Sequence, residues 1–215
     1  MTKSRFTNLI KTAREHDFVG WYETGNIHLN LCGDYDYLEN GYYLSQEFEK
    51  RGDNIYPNCK EMLDAYIPPI FLEKAQRAGV PVPRHFISNG YFEPPVIIDP
   101  INPFMFKSRT ILKPGREQAI AKSMTRNYTY AVCCQQLNPG DTVVKFRSVL
   151  GWCTNSDFRK FSGLIMEVFH IPLATVRLVM QKNGEALFSD ISPLDFESLR
   201  ATEFEYLEGK ISWAK

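Results

Sequence analysis

The sequence predicts an α+β fold of one domain or two small lobes with mixed and antiparallel sheets. Strand and helix patterns are mixed along the chain, and the clearest strand pairs come late, as hairpins rather than as a regular strand–helix alternation. The 215 residues, 44% hydrophobic and 23% charged, suffice for a sizeable core in an ordinary globular protein.

Taken in order, Thr7–His16 has helical periodicity and Phe18–Tyr22 (FVGWY) reads as a short strand. Asn26–Leu31 alternates, with Ile27, Leu29 and Leu31 on one face, as a half-buried strand does. GDYDYLENG is a turn-rich loop. The aromatics Trp21, Tyr35, Tyr37, Tyr42 and Tyr43 in this region either line a groove or serve packing. Gly41–Lys50 reads as a helix stopped by Gly52, and Ile55–Tyr56 as a short strand. A helical stretch over Cys59–Ala65 is expected to break at Pro68–Pro69 and to resume over Ile70–Ala78.

The prolines of GVPVPRHFIS force extended geometry ahead of a strand. Strands follow at Val96–Ile98 and Thr110–Leu112, then a helix over Glu117–Ser123. Tyr130–Gln135 and Thr142–Val149 are strands across the turn Asn138–Asp141. Phe158–Phe169 carries Phe158, Phe161, Ile165 and Phe169 on one helical face. Ala174–Met180 and Ala186–Asp190 form a hairpin about Asn183-Gly184, and a charged helix, Phe196–Glu208, ends near Gly209.

Lys+Arg 25 against Asp+Glu 25 leaves no net charge and so no general field to attract nucleic acid, which is not the expected partner. No apolar run approaches the roughly 20 residues of a membrane helix. The start, MTKSRFTNLIKTAREHD, lacks a signal-peptide core. A cytoplasmic protein without a membrane contact is the expectation. Cys32, Cys59, Cys133, Cys134 and Cys153 show no metal or disulfide spacing and read as buried free thiols.

The most informative stretch is Pro94–Pro114, PPVIIDPINPFMFKSRTILKP: an apolar strand, a turn, clustered cations and a second strand. Lys107, Arg109, Lys113 and Arg116 there form either a phosphate clamp or a solvated turn. Lys145 and Arg147 alternate with Phe146 and so share one side of a strand. Lys122, Arg126, Tyr128 and Tyr130 extend the mixture of cations and aromatics, a pattern also seen in single-strand nucleic-acid binders.

From Phe18 to Pro193 the order of elements resembles the ATP-grasp superfamily, especially the RimK-like peptide ligases. LEKAQRAGVPVPRHF resembles the helix and extended segment that lead into an ATP-grasp domain, and PPVIIDP the strand carrying a phosphate lysine. AVCCQQL resembles the hinge strand that contacts adenine, and FHIPLATVRLVMQKNGEALFSDISP the closing strand pair that ends in E-x-N-x-x-P. The chain departs from the pattern where the chemistry sits. Asp99 replaces the strand lysine, NPFMFKSRT replaces a glycine-rich loop, Arg177 stands at the first acidic metal ligand, and Gln136 replaces a glutamate.

The resemblance implies an N-terminal region over 1–80 and an ATP-grasp-like region over 81–215. It implies ATP-dependent carboxylate–amine ligation, with ATP and magnesium as cofactors and a carboxylate or peptide as substrate. Lys107, Arg109 and Lys113 would hold phosphates and Gln135 and Gln136 adenine. Lys145 and Arg147 would hold the acyl group, and Asp190 magnesium. Asp99 would pair with a nearby Arg or Lys. Losing a phosphate lysine and metal carboxylates removes stabilisation worth about 3 kcal/mol per donor. A catalytically degenerate scaffold or ligand-binding subunit, completed by a protein partner, is therefore an alternative, and a nucleic-acid-binding protein another.

Overall fold

The computed structural model describes residues 3–22, 26–102, 104–105 and 107–213, with backbone alone for 3–6. Pro103 and Phe106 of the NPFMFKSRT loop lie outside the described residues. The helices are α1 (Lys3–Glu15), α2 (Asn40–Arg51), α3 (Cys59–Tyr66), α4 (Pro68–Arg77), α5 (Glu117–Met124), α6 (Arg159–Phe169) and α7 (Ala201–Glu208). The first strands are β1 (Val19–Tyr22), β2 (Ile27–Asn30), β3 (Ile55–Tyr56), β4 (His85–Ser88), β5 (Val96–Pro100) and β6 (Arg109–Ile111). They are followed by β7 (Val132–Gln136), β8 (Thr142–Val149), β9 (Leu173–Met180), β10 (Ala186–Pro193) and β11 (Ile211–Trp213).

These elements form two compact units interleaved along the chain. Unit 1 comprises Met1–Tyr66, Phe146–Val176 and Ile191–Lys215; unit 2 comprises Ile67–Lys145 and Arg177–Asp190. The division expected at residue 80 follows chain order, whereas these units are assembled from distant segments. A further, three-stranded sheet has the order β10-β9-β8.

Unit 1 holds a four-stranded sheet of order β11-β1-β2-β3, antiparallel except for the β2–β3 pair. Leu29 and Leu31 alternate into the core as the sequence predicts, but Asn30 between them is also buried. Its amide donates to Gly41 O at 2.6 Å and Ser45 Oγ at 3.0 Å, so the polar face of β2 is tied to α2 rather than to water. Gly52 ends α2 at φ 82, the left-handed geometry glycine adopts without a Cβ clash. Phe196 anchors the core, with its ring 5.4 Å from Phe18, 5.1 Å from Phe204 and 6.0 Å from Trp213.

Two local expectations shift, and one strand is added. The expected break between two helices falls at Ile67, which is extended, and Pro68 and Pro69 themselves begin α4, because the first turn needs no backbone N–H from them and their φ is already helical. The helix expected over Phe196–Glu208 is split into a 3-10 turn, Phe196–Ser198, and α7. Leu199 and Arg200 are extended between them, and the Arg200 N–H is satisfied by Glu203 Oε2 at 2.7 Å, which starts α7 afresh. Strand β11, too short to show periodicity, pairs with β1.

Unit 2 carries the sheet β4-β7-β5-β6, in which β5 is antiparallel to both neighbours. Val96 and Ile98 of β5 join Val132 and Cys134 of β7 against Ala121 and Met124 of α5. On the opposite face Ile97 packs with Leu137, Val179 and Leu187. Burial on both faces explains why VIID reads as a continuous run rather than an alternation.

Candidate functional site

Period-two alternation decides which β5 residue meets which layer. Asp99 shares the face of Ile97, so it enters the layer occupied by β9 and β10 and is only 2% exposed. There Arg177 Nη2 donates to Asp99 Oδ1 at 2.9 Å and Oδ2 at 2.8 Å. Arg177 Nε donates to Ser189 Oγ at 2.9 Å, and Nη2 also reaches Ser189 O at 3.0 Å. Gln135, buried on β7, donates its amide to Asp99 Oδ2 at 2.6 Å and to Ser189 O at 2.8 Å, while its Oε1 has no hydrogen-bond partner among the described residues. Asp190 completes the cluster 3.9 Å from Arg177 Nη1.

Burial works against the Arg177 charge, but Asp190 and Asp99 outweigh it and hold the guanidinium pKa above its ordinary value. Asp99 accepts three bonds, and two buried charges neutralise each other. The residue at the expected lysine position and the residue at the expected metal-acid position thus satisfy one another. Cys133 and Cys134 are pushed up to about 12 by burial first and by the Asp99 carboxylate second, so neither is a poised nucleophile.

The remaining sequence-derived residues are scattered. Lys107, Arg109 and Lys113 are exposed along and beside β6, and no ion pair joins them to an acid among the described residues. Gln136 is exposed at the end of β7, whereas the Gln135 amide is spent inside the cluster. Lys145 is exposed in unit 2. Arg147 lies in unit 1, where Nη2 bonds Glu203 Oε2 at 2.8 Å and Ser198 O at 2.7 Å. Ser189 is the cluster member for which the sequence carries no signal, since one buried serine in a strand is unremarkable.

The donor chemistry fits phosphates better than a divalent ion. Exposed cations on the β5–β6 hairpin can meet phosphate oxygens. Among the described residues no group of three or more His, Cys, Asp or Glu side chains is placed to hold a metal ion. Magnesium takes oxygen ligands in a near-octahedral set, and Asp190 beside Arg177 does not supply one.

Unit 1 has a separate cavity of about 1100 Å³ lined by Asp17, Asp34, Glu39, Glu47, Asp195 and Tyr43, among others. Burial raises the Asp34 carboxyl, with Asp195 adding to it, and pushes the Cys32 thiol up to about 12. Of the aromatics read as groove candidates, Tyr43 faces this cavity. Tyr35 is core, its hydroxyl donating to Asn30 O at 2.7 Å.

Residues 22–209 match the family described as RLAN, RimK-like ATPgrasp N-terminal domain. No curated protein matches the chain. Among solved structures, the RimK domain ATP-grasp protein of Sphaerobacter thermophilus is similar at a TM-score of 0.59 and 14% identity, over 78% of this chain and 72% of that one. The D-alanine-D-alanine ligase of Helicobacter pylori gives 0.57 and 13%, over 81% and 67%. The ATP-grasp ligase PsnB, solved with a minimal precursor variant, Mg and ADP, gives 0.51 and 17%, over 79% of this chain and 62% of its own length. The chain therefore spans less than two thirds of PsnB, and at these identities the likeness is one of fold. Among the described residues no helix is long and apolar enough to cross a membrane.

Proposed function

We propose that this chain, which belongs to the RimK-like ATPgrasp N-terminal domain family, binds an adenine nucleotide or a related phosphorylated ligand on unit 2 without running magnesium-assisted ligation. The observation that carries this reading is the buried Asp99–Arg177 pair, which commits one charge to the other instead of to a phosphate or a metal. Acyl-phosphate formation rests on cationic stabilisation of the transferring phosphoryl group, and each missing donor costs about 3 kcal/mol of it. Binding makes a smaller demand. Lys107, Arg109 and Lys113 supply charge at the hairpin, and Gln136 supplies a hydrogen-bonding end to β7.

Calorimetric titration with ATP, in magnesium and in chelator, tests the reading. The expected result is a dissociation constant that chelation alters by less than about threefold and that Lys107→Ala with Arg109→Ala weakens by about tenfold, or 1.4 kcal/mol. No heat of binding at millimolar ATP, or affinity untouched by the double substitution, would refute it.

A second reading, ATP-dependent carboxylate–amine ligation, draws on Asp190, whose carboxylate is 16% exposed at the edge of the cluster. Lys145 would then face the acyl group of a carboxylate or peptide substrate. It requires magnesium to tighten ATP binding and Asp190→Asn to abolish that effect.

A further inference from the structure

Between Asp99 and Asp141 the chain carries six basic side chains and a single acid, Glu117, a local surplus hidden by the zero net charge of the whole. Glu117 is itself folded back onto the Gly115 N–H, at 2.9 and 3.0 Å. Three of the cations belong to the hairpin discussed above. The others, Arg116, Lys122 and Arg126, are exposed on or beside α5, and among the described residues no acid pairs with them.

Large aromatic rings share that face. Arg116, Lys122 and Tyr128 line a cavity of about 910 Å³. The Arg126 guanidinium lies 5.6 Å from the centroid of Phe104, a ring 60% exposed, and Tyr128 is 44% exposed. Exposed rings beside unpaired cations are what a ligand with both phosphates and flat bases would meet.

The backbone holds these groups in an unusual way. Arg126, Asn127 and Tyr128 have φ of 49, 62 and 65, three successive non-glycine residues in the left-handed region. Such residues persist only where the surroundings over-determine them. Here buried Thr125 donates from Oγ1 to Ala121 O at 2.6 Å and accepts from the Tyr128 N–H at 2.7 Å. The Asn127 N–H reaches Lys122 O at 2.7 Å and the Tyr130 N–H reaches Thr125 O at 2.8 Å. The turn presents Arg126 and Tyr128 outward from a hydrogen-bonded base.

We infer that this face of unit 2 binds a single-stranded nucleic acid, with Arg116, Lys122 and Arg126 on phosphates and Tyr128 and Phe104 under unpaired bases. An acidic polypeptide would use the cations and leave the rings without a role. A paired duplex would offer phosphates but no free base faces.

Fluorescence anisotropy with a labelled oligothymidylate of about 12 nucleotides tests this at about 50 mM salt, where non-specific binding in the micromolar range is expected. Lys122→Gln with Arg126→Gln should weaken binding at least about fivefold and reduce the salt slope by roughly 1.4, the share of two single-strand phosphates. Tyr128→Ala should weaken it by about fivefold or more, while Tyr128→Phe retains it, because stacking needs the ring and not the hydroxyl. Both glutamine substitutions sit on exposed side chains, and circular dichroism confirms folding.

No binding by the unaltered protein, equal affinity for a duplex of the same length, or displacement by polyglutamate with no effect of Tyr128→Ala would each overturn the inference. The ATP titration separates the two readings. Oligonucleotide binding without ATP binding would remove the nucleotide reading alone, and the opposite pattern would remove this one.

Discussion

Replacing Asp99 by Leu leaves the Arg177 guanidinium facing an apolar chain. Arg177 is 3% exposed, so it cannot turn to water. Its Nη2 keeps only the Ser189 carbonyl, at 3.0 Å. Removing one member of a buried pair costs about 3–5 kcal/mol. Asp190, 3.9 Å from Nη1, compensates part of the charge, so the expected loss is at the lower end, about 3 kcal/mol. Arg177→Met should cost a similar amount by leaving Asp99 with the Gln135 amide alone. The double substitution removes both charges and should cost at most about 1 kcal/mol, since apolar replacement of a whole buried pair is close to neutral. Gln135 would still donate to Ser189 O.

Urea unfolding followed by far-UV circular dichroism is the assay. Trp21, Trp152 and Trp213 all belong to unit 1, so fluorescence alone would miss a transition confined to unit 2. A single-substitution loss below about 1 kcal/mol, the range of exposed pairs, would refute the reasoning, as would a double-variant loss equal to the sum of the singles.

Two further outcomes are expected. Asp34 has a folded pKa raised from its ordinary 3.8, by burial first and Asp195 in addition. The folded state therefore binds the proton more tightly, and the stability this confers is full below 3.8 and lost as pH rises through the folded value. Asp34→Asn should flatten the fall in melting temperature as pH rises above about 4; an unchanged fall would clear Asp34 of responsibility. At Gly52, with φ 82 and no atom within 4 Å of an added Cβ, alanine should cost about 1 kcal/mol through backbone strain alone, read as a lower melting temperature. An unchanged melting temperature would show that α2 can end without the left-handed turn.

Much of the secondary structure was legible because it depends on neighbours in the chain. Thr142–Val149, read as the strand after the Asn138–Asp141 turn, has the expected bounds, and Gly52 stops α2 as its position implied. The shifts fall where a local signal has two meanings. A Pro-Pro pair marks the break between α3 and α4 as read, but only the structure shows that the prolines belong to the second helix. The charged pattern of Phe196–Glu208 is helical throughout, yet burial of Phe196 and Leu199 in the unit 1 core fits a 3-10 turn and a restart. Of the candidate site residues, the exposed cations of the hairpin could be read from composition. The engagement of Arg147 by Glu203 could not, because its partner lies 56 positions away.

By itself the sequence determined the α+β class, the family and the concentration of cations after Asp99, since periodicity, motif order and charge are carried by residues close together in the chain. It also marked Asp99 and Arg177 as departures from the ligase pattern. Only the tertiary structure decided that the two departures answer each other. Strand alternation turns Asp99 into the layer where Arg177 and Ser189 lie, and a charge that far from water must find its counter-charge across 78 positions of sequence.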